Sequence, residues 1–378
     1  MHQGAFLFRN ARLISLFFCG DVMTGRGIDQ VLPYPSDPII HEAYLKDARG
    51  YIELAEQGQD PFPRKVDFSY IWGDVLEELE RINPDFRIIN LETSITTSND
   101  YLKSKGINYR MNPRNVPCFT EAKIDYCSLA NNHVLDWGYA GLTETLDVLD
   151  KAQLKHAGAG RNSKEAQSPA IMEYSEKGRL IVFSFGSGTS GIPNSWIASE
   201  ALPGINLIPD FSVETIEFIK EKVGKVKQPN DVVVASIHWG GNWGYEVPAD
   251  QREFAHRLID HAGIDIIHGH SSHHVKGIEV YNHKLILYGC GDFLNDYEGI
   301  TGYELFRGDL GLMYFASIDS QTGNLCQLRM TPTLIKYFRV NRASRVAAEW
   351  LINTLNQEGK KFGTSVALNS DNSLSLQF

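Results

Sequence analysis

The stretch that decides the fold runs from Ile264 to Asp296 and reads IDIIHGHSSHHVKGIEVYNHKLILYGCGDFLND. It holds two short apolar runs, 264–268 and 284–289, rich in β-branched or aromatic residues. Runs of this length without polar alternation are the signature of strands buried on both faces. Each run gives way to residues suited to chemistry rather than packing. The first ends His268-Gly269-His270-Ser271-Ser272-His273-His274, four histidines with a glycine that lets the backbone turn tightly. The second ends Gly291-Asp292-Phe293-Leu294-Asn295-Asp296.

The same arrangement recurs outward from this stretch. The run 13–19 ends Cys19-Gly20-Asp21, and 86–91 ends Asn90-Leu91-Glu92. The run 125–130 ends Asn131-Asn132-His133, with Asp136 three residues on, and 231–237 ends His238-Trp239-Gly240. Runs at 180–185 and 312–318 complete the strand set. Helix patterns fall between them at 70–82, 141–152, 211–224 and 250–262, and a last one at 342–357 closes the chain. This alternation predicts an α/β fold. The stretches 31–38 and 186–204 read as surface loops, so residues 1–378 are expected to form one domain, with a C-terminal helix and strand (342–378) packing on it.

In open α/β sheets, ligands bind outside the carboxyl ends of the strands. Largely parallel strands would bring these clusters to one rim. Taken singly, Asp21 or Glu92 reads equally well as a helix cap or first-turn residue, and His238 as a satisfied buried histidine. Asn131-Asn132-His133 is harder to explain structurally, because two amides and an imidazole ending a buried strand need partners. Taken together, the mixed oxygen and nitrogen donors favour one or two divalent ions, with Mn, Zn or Fe suiting the set better than Ca or Mg.

The ordered set Gly20-Asp21, Asn90-Leu91-Glu92, Asn131-Asn132-His133, His238-Trp239-Gly240, Gly269-His270 with His273, and Gly291-Asp292-Phe293 resembles the capsule-synthesis (poly-γ-glutamate biosynthesis, CapA-type) family. That family belongs to the calcineurin-like metallophosphoesterase superfamily. The resemblance implies a four-layer α/β/β/α sandwich with a two-metal rim. It implies Asp21 as the first-strand ligand and Glu92 in the place of a bridging aspartate. It further implies Asn132, His238 and His270 as ligands of the second ion, His273 facing the first, and His133 as a histidine that contacts substrate without binding metal. Two positions depart from the superfamily pattern. Met23 stands where a histidine ligand is usual, and His270 and His273 are separated by two residues rather than one, as is usual in the capsule family.

A metal at such a rim lowers the pKa of a bound water toward ~7. His133 is the candidate general acid, with Asp136 orienting it. Asn131, Asp292 and Asn295, with Asp296, are expected to support the ligands or touch substrate. The function expected from the resemblance is a metal-dependent hydrolase or transferase acting on a peptide-like or γ-glutamyl amide. A phosphoesterase, a metal-dependent peptide epimerase and a non-catalytic polymer-binding accessory protein are the alternatives.

Composition bounds these readings. The chain has 378 residues, 43% hydrophobic and 22% charged, as in ordinary globular proteins. Its 36 Lys and Arg against 46 Asp and Glu give a net charge of −10, which disfavours nucleic acid and anionic membranes as partners. A small-molecule or peptide-like substrate is expected instead; the oligomeric state is left open. Arg26, Lys103, Lys105, Arg110 and Arg114 read as solvated surface. The five cysteines are odd in number and show no C-x-x-C spacing, which fits a reducing compartment and a cytoplasmic location. No apolar run reaches the ~18 residues of a membrane span. Arg9 and Arg12 precede the run 13–19 as in a signal peptide, but no small-residue cleavage site follows, and Phe17 and Phe18 are too bulky before a lipoprotein cysteine. The run is expected to be a buried first strand.

Overall fold

The computed structural model of the chain describes residues 13–57, 61–174 and 178–378; Arg9 and Arg12 lie outside them. Three parallel strands, β1 (Leu13–Val22), β2 (Phe86–Leu91) and β3 (Tyr126–Ser128), lie side by side in a first sheet. On the other side of β1 the sheet continues through the antiparallel strands Leu310–Asp319 and Asn324–Ile335. A second sheet is built around parallel strands β4 (Arg179–Ser187), β5 (Val232–His238) and β6 (Ile266–His270). A short strand, β7 (Asp292–Leu294), returns to the first sheet and lies parallel to β1.

The apolar runs are continuous because both faces of each sheet are covered. Ile14, Leu16 and Phe18 of β1 share one core with Val182, Val234 and Ile266 of the facing sheet. The alternate residues Phe17, Ile89 and Cys127 pack outward against Leu142, Leu146 and Leu149 of the helix Gly138–Lys151. On the far side, Phe183, Val233 and Ile267 pack against Ile216 and Ile219 of Val213–Gly224 and Phe254 and Leu258 of Ala249–Ala262. The result is the expected four-layer α/β/β/α sandwich. Each such buried side chain contributes roughly 1.5–3 kcal/mol. The helix Arg345–Gly359 adds Ala347, Leu351 and Leu355 to the inter-sheet core, and the strand Leu374–Gln377 pairs onto Asn324–Ile335.

Some boundaries differ from the sequence reading. The pattern at 70–82 splits into a 3-10 turn (Tyr70–Trp72) and a helix (Val75–Ile82), because Gly73 sits between them at φ +47°. The run 264–268 extends to His270, so the histidines begin inside the strand. Among the described residues, no helix is long and apolar enough to cross a membrane.

Candidate metal centre

The register of β5 against β6 pairs Ser236 with His268 and His238 with His270. Residues two apart on a strand face the same way, and Val234 and Ile266 lie in the inter-sheet core. The inner face of this strand pair therefore runs from Val234 and Ile266, through Ser236 and His268, to His238 and His270 at the carboxyl end. Opposite lies an irregularity in β1, whose pairing with β2 shifts between Phe18 and Asp21. Gly20 makes it feasible: a Cβ there would sit 1.7 Å from the carbonyl oxygen of Gly291. Past this point Asp21 pairs with Asn90 of β2 and with Asp292 of β7.

Two groups of potential ligands result. Asp21, His238 and His270 each offer an atom within 4.8 Å of the others, and so do Asp21, His273 and Asp292. Asp21 belongs to both. Asn90 Nδ2 donates to Asp21 Oδ1 at 2.7 Å, and Asn131 Nδ2 donates to Asn90 Oδ1 at 3.1 Å. Asn131 thus stands one amide behind Asp21, while its own oxygen accepts the His133 backbone N–H at 3.1 Å. Glu92 Oε1 lies 3.8 Å from His238 Nε2 and 3.9 Å from His133 Nε2. Burial, then the charge of Asp292, pushes Asp21 up to about 7. Burial and the nearby Asp21 raise Glu92 well above the usual carboxylate range. Burial holds His238 and His270 well below the usual imidazole value, with further lowering from neighbouring imidazoles.

These residues fit a divalent ion. His238 Nε2 and Asn132 Oδ1 are buried polar atoms without a hydrogen-bond partner. An orphaned buried group costs about 1–3 kcal/mol, and both orphans are residues that the resemblance casts as ligands. The surrounding donors are carboxylate oxygen and imidazole nitrogen, the set that suits Mn, Fe or Zn.

The half of the centre around His273 is different. Met23 is buried, and its Sδ accepts the Gly25 N–H at 3.1 Å, within its own turn. Asp292 Oδ1 lies 2.9 Å from His273 Nδ1, and Asn295 Nδ2 donates to Asp292 Oδ2 at 2.6 Å. Burial alone would lower His273, but the Asp292 carboxylate outweighs it and holds the imidazole above its ordinary value. His274 is structural: its Nε2 accepts the Gly244 N–H at 3.1 Å, and its Nδ1 lies 3.0 Å from the Val275 carbonyl oxygen.

At the edge of the centre, His133 Nδ1 lies 2.6 Å from Asp136 Oδ2, which also accepts the Tyr109 N–H at 2.7 Å. The Tyr109 ring stacks on the imidazole at 3.9 Å. Lys105 Nζ donates to Asp136 Oδ1 at 2.6 Å and to the Asn132 carbonyl, and lies 2.9 Å from His133 Nδ1. Burial pushes His133 down to about 4. Lys105, read from the sequence as surface, is held instead by Asp136 and the Asn132 carbonyl, and Tyr109, Asn90, Ser236 and His268 are site-adjacent residues to which the sequence reading assigns no role. Lys105 and Tyr109 lie in a stretch without periodicity, and Asn90 was visible only as part of Asn90-Leu91-Glu92.

The reading of the basic residues as surface needs correction. Lys103 and Arg114 are exposed. Arg26, however, is 3% exposed and gripped by Asp296, Glu42 and Tyr51. Arg110 is 8% exposed, with its guanidinium 4.0 Å over Trp137 and bonded to the Ser98 and Asp37 carbonyls. Each charge is matched by carboxylate, carbonyl or aromatic partners distant in sequence. Asp296 is the counter-ion of Arg26, pairing with its guanidinium.

The model of the family described as "Bacterial capsule synthesis protein PGA_cap" matches residues 15–297. A probable polyglutamine synthesis accessory protein of Mycobacterium tuberculosis is 43% identical over 368 residues, covering 97% of each chain. The PGA biosynthesis protein CapA of Bacillus subtilis is 27% identical over 316 residues, 81% of this chain and 72% of that one. A solved phosphatase of Mycoplasma pneumoniae aligns at 13% identity and a TM-score of 0.48, over 88% of this chain and 95% of that one. The chain belongs to the bacterial capsule synthesis (PGA_cap, CapA-type) family.

Proposed function

We propose that the chain is a metal-dependent hydrolase or transferase acting on a γ-glutamyl or other peptide-like amide. The observation that carries this reading is the meeting of Asp21 from one sheet with His238 and His270 from the other, their ligand atoms within 4.8 Å. A divalent ion held by Asp21, Glu92, Asn132, His238 and His270, with His273 on the far side, supplies Lewis acidity: a water of lowered pKa and stabilisation of developing negative charge. The names of the two relatives, a polyglutamine synthesis accessory protein and a PGA biosynthesis protein, support an amide substrate.

The chain's own residues handle the proton. With His133 Nδ1–H donating to Asp136, Nε2 carries a lone pair on the side of Glu92. A buried imidazole with its pKa near 4 is neutral at physiological pH. His133 therefore first accepts a proton from the attacking nucleophile and then delivers it to the leaving nitrogen, so base precedes acid. Tyr109 holds the ring plane, and Lys105 ties Asp136 to the Asn132 backbone. Hydrolysis and transfer differ only in whether water or an amine takes the acyl group. The odd cysteine count without a C-x-x-C pair supports a cytoplasmic setting. One inter-sheet core that draws on both Ile14 and Leu376 supports a single domain.

A role without turnover is the second reading. It is favoured by Met23, whose sulfur is engaged by Gly25, and by the word "accessory" in the name of the M. tuberculosis relative. The test incubates the full chain, loaded with Mn2+ or Zn2+, with γ-glutamyl oligopeptides and, separately, with an aryl phosphodiester. Expected is amide turnover that His133→Ala lowers by roughly 100-fold or more at unchanged metal content. Phosphodiester turnover alone would replace the amide reading. Solvent deuterium entering an uncleaved peptide would point to epimerisation, and no turnover of either class by the loaded protein would point to the accessory role.

A further inference from the structure

We propose that Ser236 and His268 are positioning residues that fix the protonation sense of His270 and His238 through a single directional hydrogen-bond chain anchored on the Cys19 carbonyl. The chain's consequence for metal rests on the reading above; its direction does not.

The direction follows group by group. The Cys19 carbonyl oxygen can only accept, and His268 Nε2 lies 2.8 Å from it, so Nε2 carries the His268 proton. His268 is fully buried and is bonded to a carbonyl oxygen and a hydroxyl, neither of which balances a charge, so the ring is neutral and Nδ1 holds a lone pair. Ser236 Oγ, 3.0 Å from Nδ1, is the donor there. A hydroxyl has one proton, so toward His270 Nε2, also 3.0 Å away, Ser236 Oγ accepts. His270 therefore carries its proton on Nε2 and a lone pair on Nδ1. His238 Nδ1, 2.8 Å from that lone pair, is the next donor. What remains is His238 Nε2, bare, buried and without a hydrogen-bond partner, 3.8 Å from Glu92 Oε1.

The orphan on His238 is thus the far end of an ordered series. A lone pair turned toward a carboxylate oxygen is repulsive unless a cation or a proton lies between them. Ser236 and His268 can act in this way because the β5–β6 register makes them the next pair on the same face below His238 and His270. The anchor comes from the opposite sheet, beside the irregularity at Gly20. A purely structural role, in which these groups only satisfy one another, would leave metal affinity unchanged when the Ser236 hydroxyl is lost.

Two measurements test this. In the metal-free full chain labelled with 15N-histidine, long-range 1H–15N correlations are expected to show the Nε2–H form at His268 and His270 and the Nδ1–H form at His238. The Nδ1–H form at His270 would overturn the proposal. In calorimetric titration with Mn2+ and with Zn2+, Ser236→Ala and His268→Leu are expected to weaken binding roughly 10–100-fold. Ser236→Thr keeps the hydroxyl and His268→Gln keeps a donor beside an acceptor, so both are expected to hold near-wild-type affinity. Wild-type affinity in Ser236→Ala would overturn the relay. A wild-type chain that takes up neither ion would overturn the metal reading alone, and the NMR result would then decide the chain by itself.

Discussion

In one half of the centre, His238 and His270 stand on adjacent parallel strands inside the sandwich, both fully buried. In the other half, His273 sits past the end of β6, on a turn whose backbone N–H is held by the Asn242 carbonyl at 2.9 Å. The first half is rich in imidazole. The second sets the carboxylates of Asp21 and Asp292 beside the single imidazole of His273, and Met23 follows the first strand there. Strand-borne ligands are held more tightly than loop-borne ones, and imidazole favours Zn or Fe while carboxylate favours harder ions such as Mn or Mg. If the proposed metal reading holds, two sites of unequal affinity and unequal metal preference, joined at Asp21, are expected.

The strongest way to break this comparison is Asp21→Asn, which strikes both halves. Metal content by mass spectrometry is expected to fall to background for every ion; one retained equivalent would show that a half stands without Asp21. Next in size, His238→Ala and His273→Ala are expected to separate the halves. The first should abolish tight Zn2+ uptake, whereas the second should remove the weaker equivalent and leave the tighter one. Identical losses from both would mean a single site. The smallest effect is the pH dependence. The metal-free Asp21 holds its proton up to about 7, and an ion must displace it, so lowering the pH favours the metal-free form. Affinity is expected to rise with pH by about tenfold per pH unit for each proton displaced; the Asp21 contribution ends above about 7, while Glu92 and His273, whose pKa values are also raised, add to the rise. Calorimetry in buffers of different ionisation enthalpy would register the released proton, and a flat profile would mean that Asp21 is already ionised.

The unequal halves were not equally legible in the sequence. Buried parallel strands appear as unbroken apolar runs, so the strand ends, and with them Asp21, Glu92, Asn132, His238 and His270, could be located by where each run gives way. Nothing within VVVASIH marks Ser236, and nothing sets His268 apart within its histidine cluster. Only cross-strand register and a contact to Cys19, 249 positions away, make them partners. The strand Asp292–Leu294 is too short to show a period, and the Arg26–Asp296 pair spans 270 positions. Such long-range pairings leave no local mark.

Gly20 and Gly291 meet where the neighbouring strands β1 and β7 of the first sheet present their carboxylates, for Asp21 follows one and Asp292 the other. The spacing of those acids is governed by hydrogen atoms rather than by the acids themselves. A single methyl group at Gly20 would act as a wedge between β1 and β7, leaving every donor in the chain yet no longer at the same distance. Relatives unable to hold this pair of acids together are therefore better sought by inspecting these two glycines than by counting histidines.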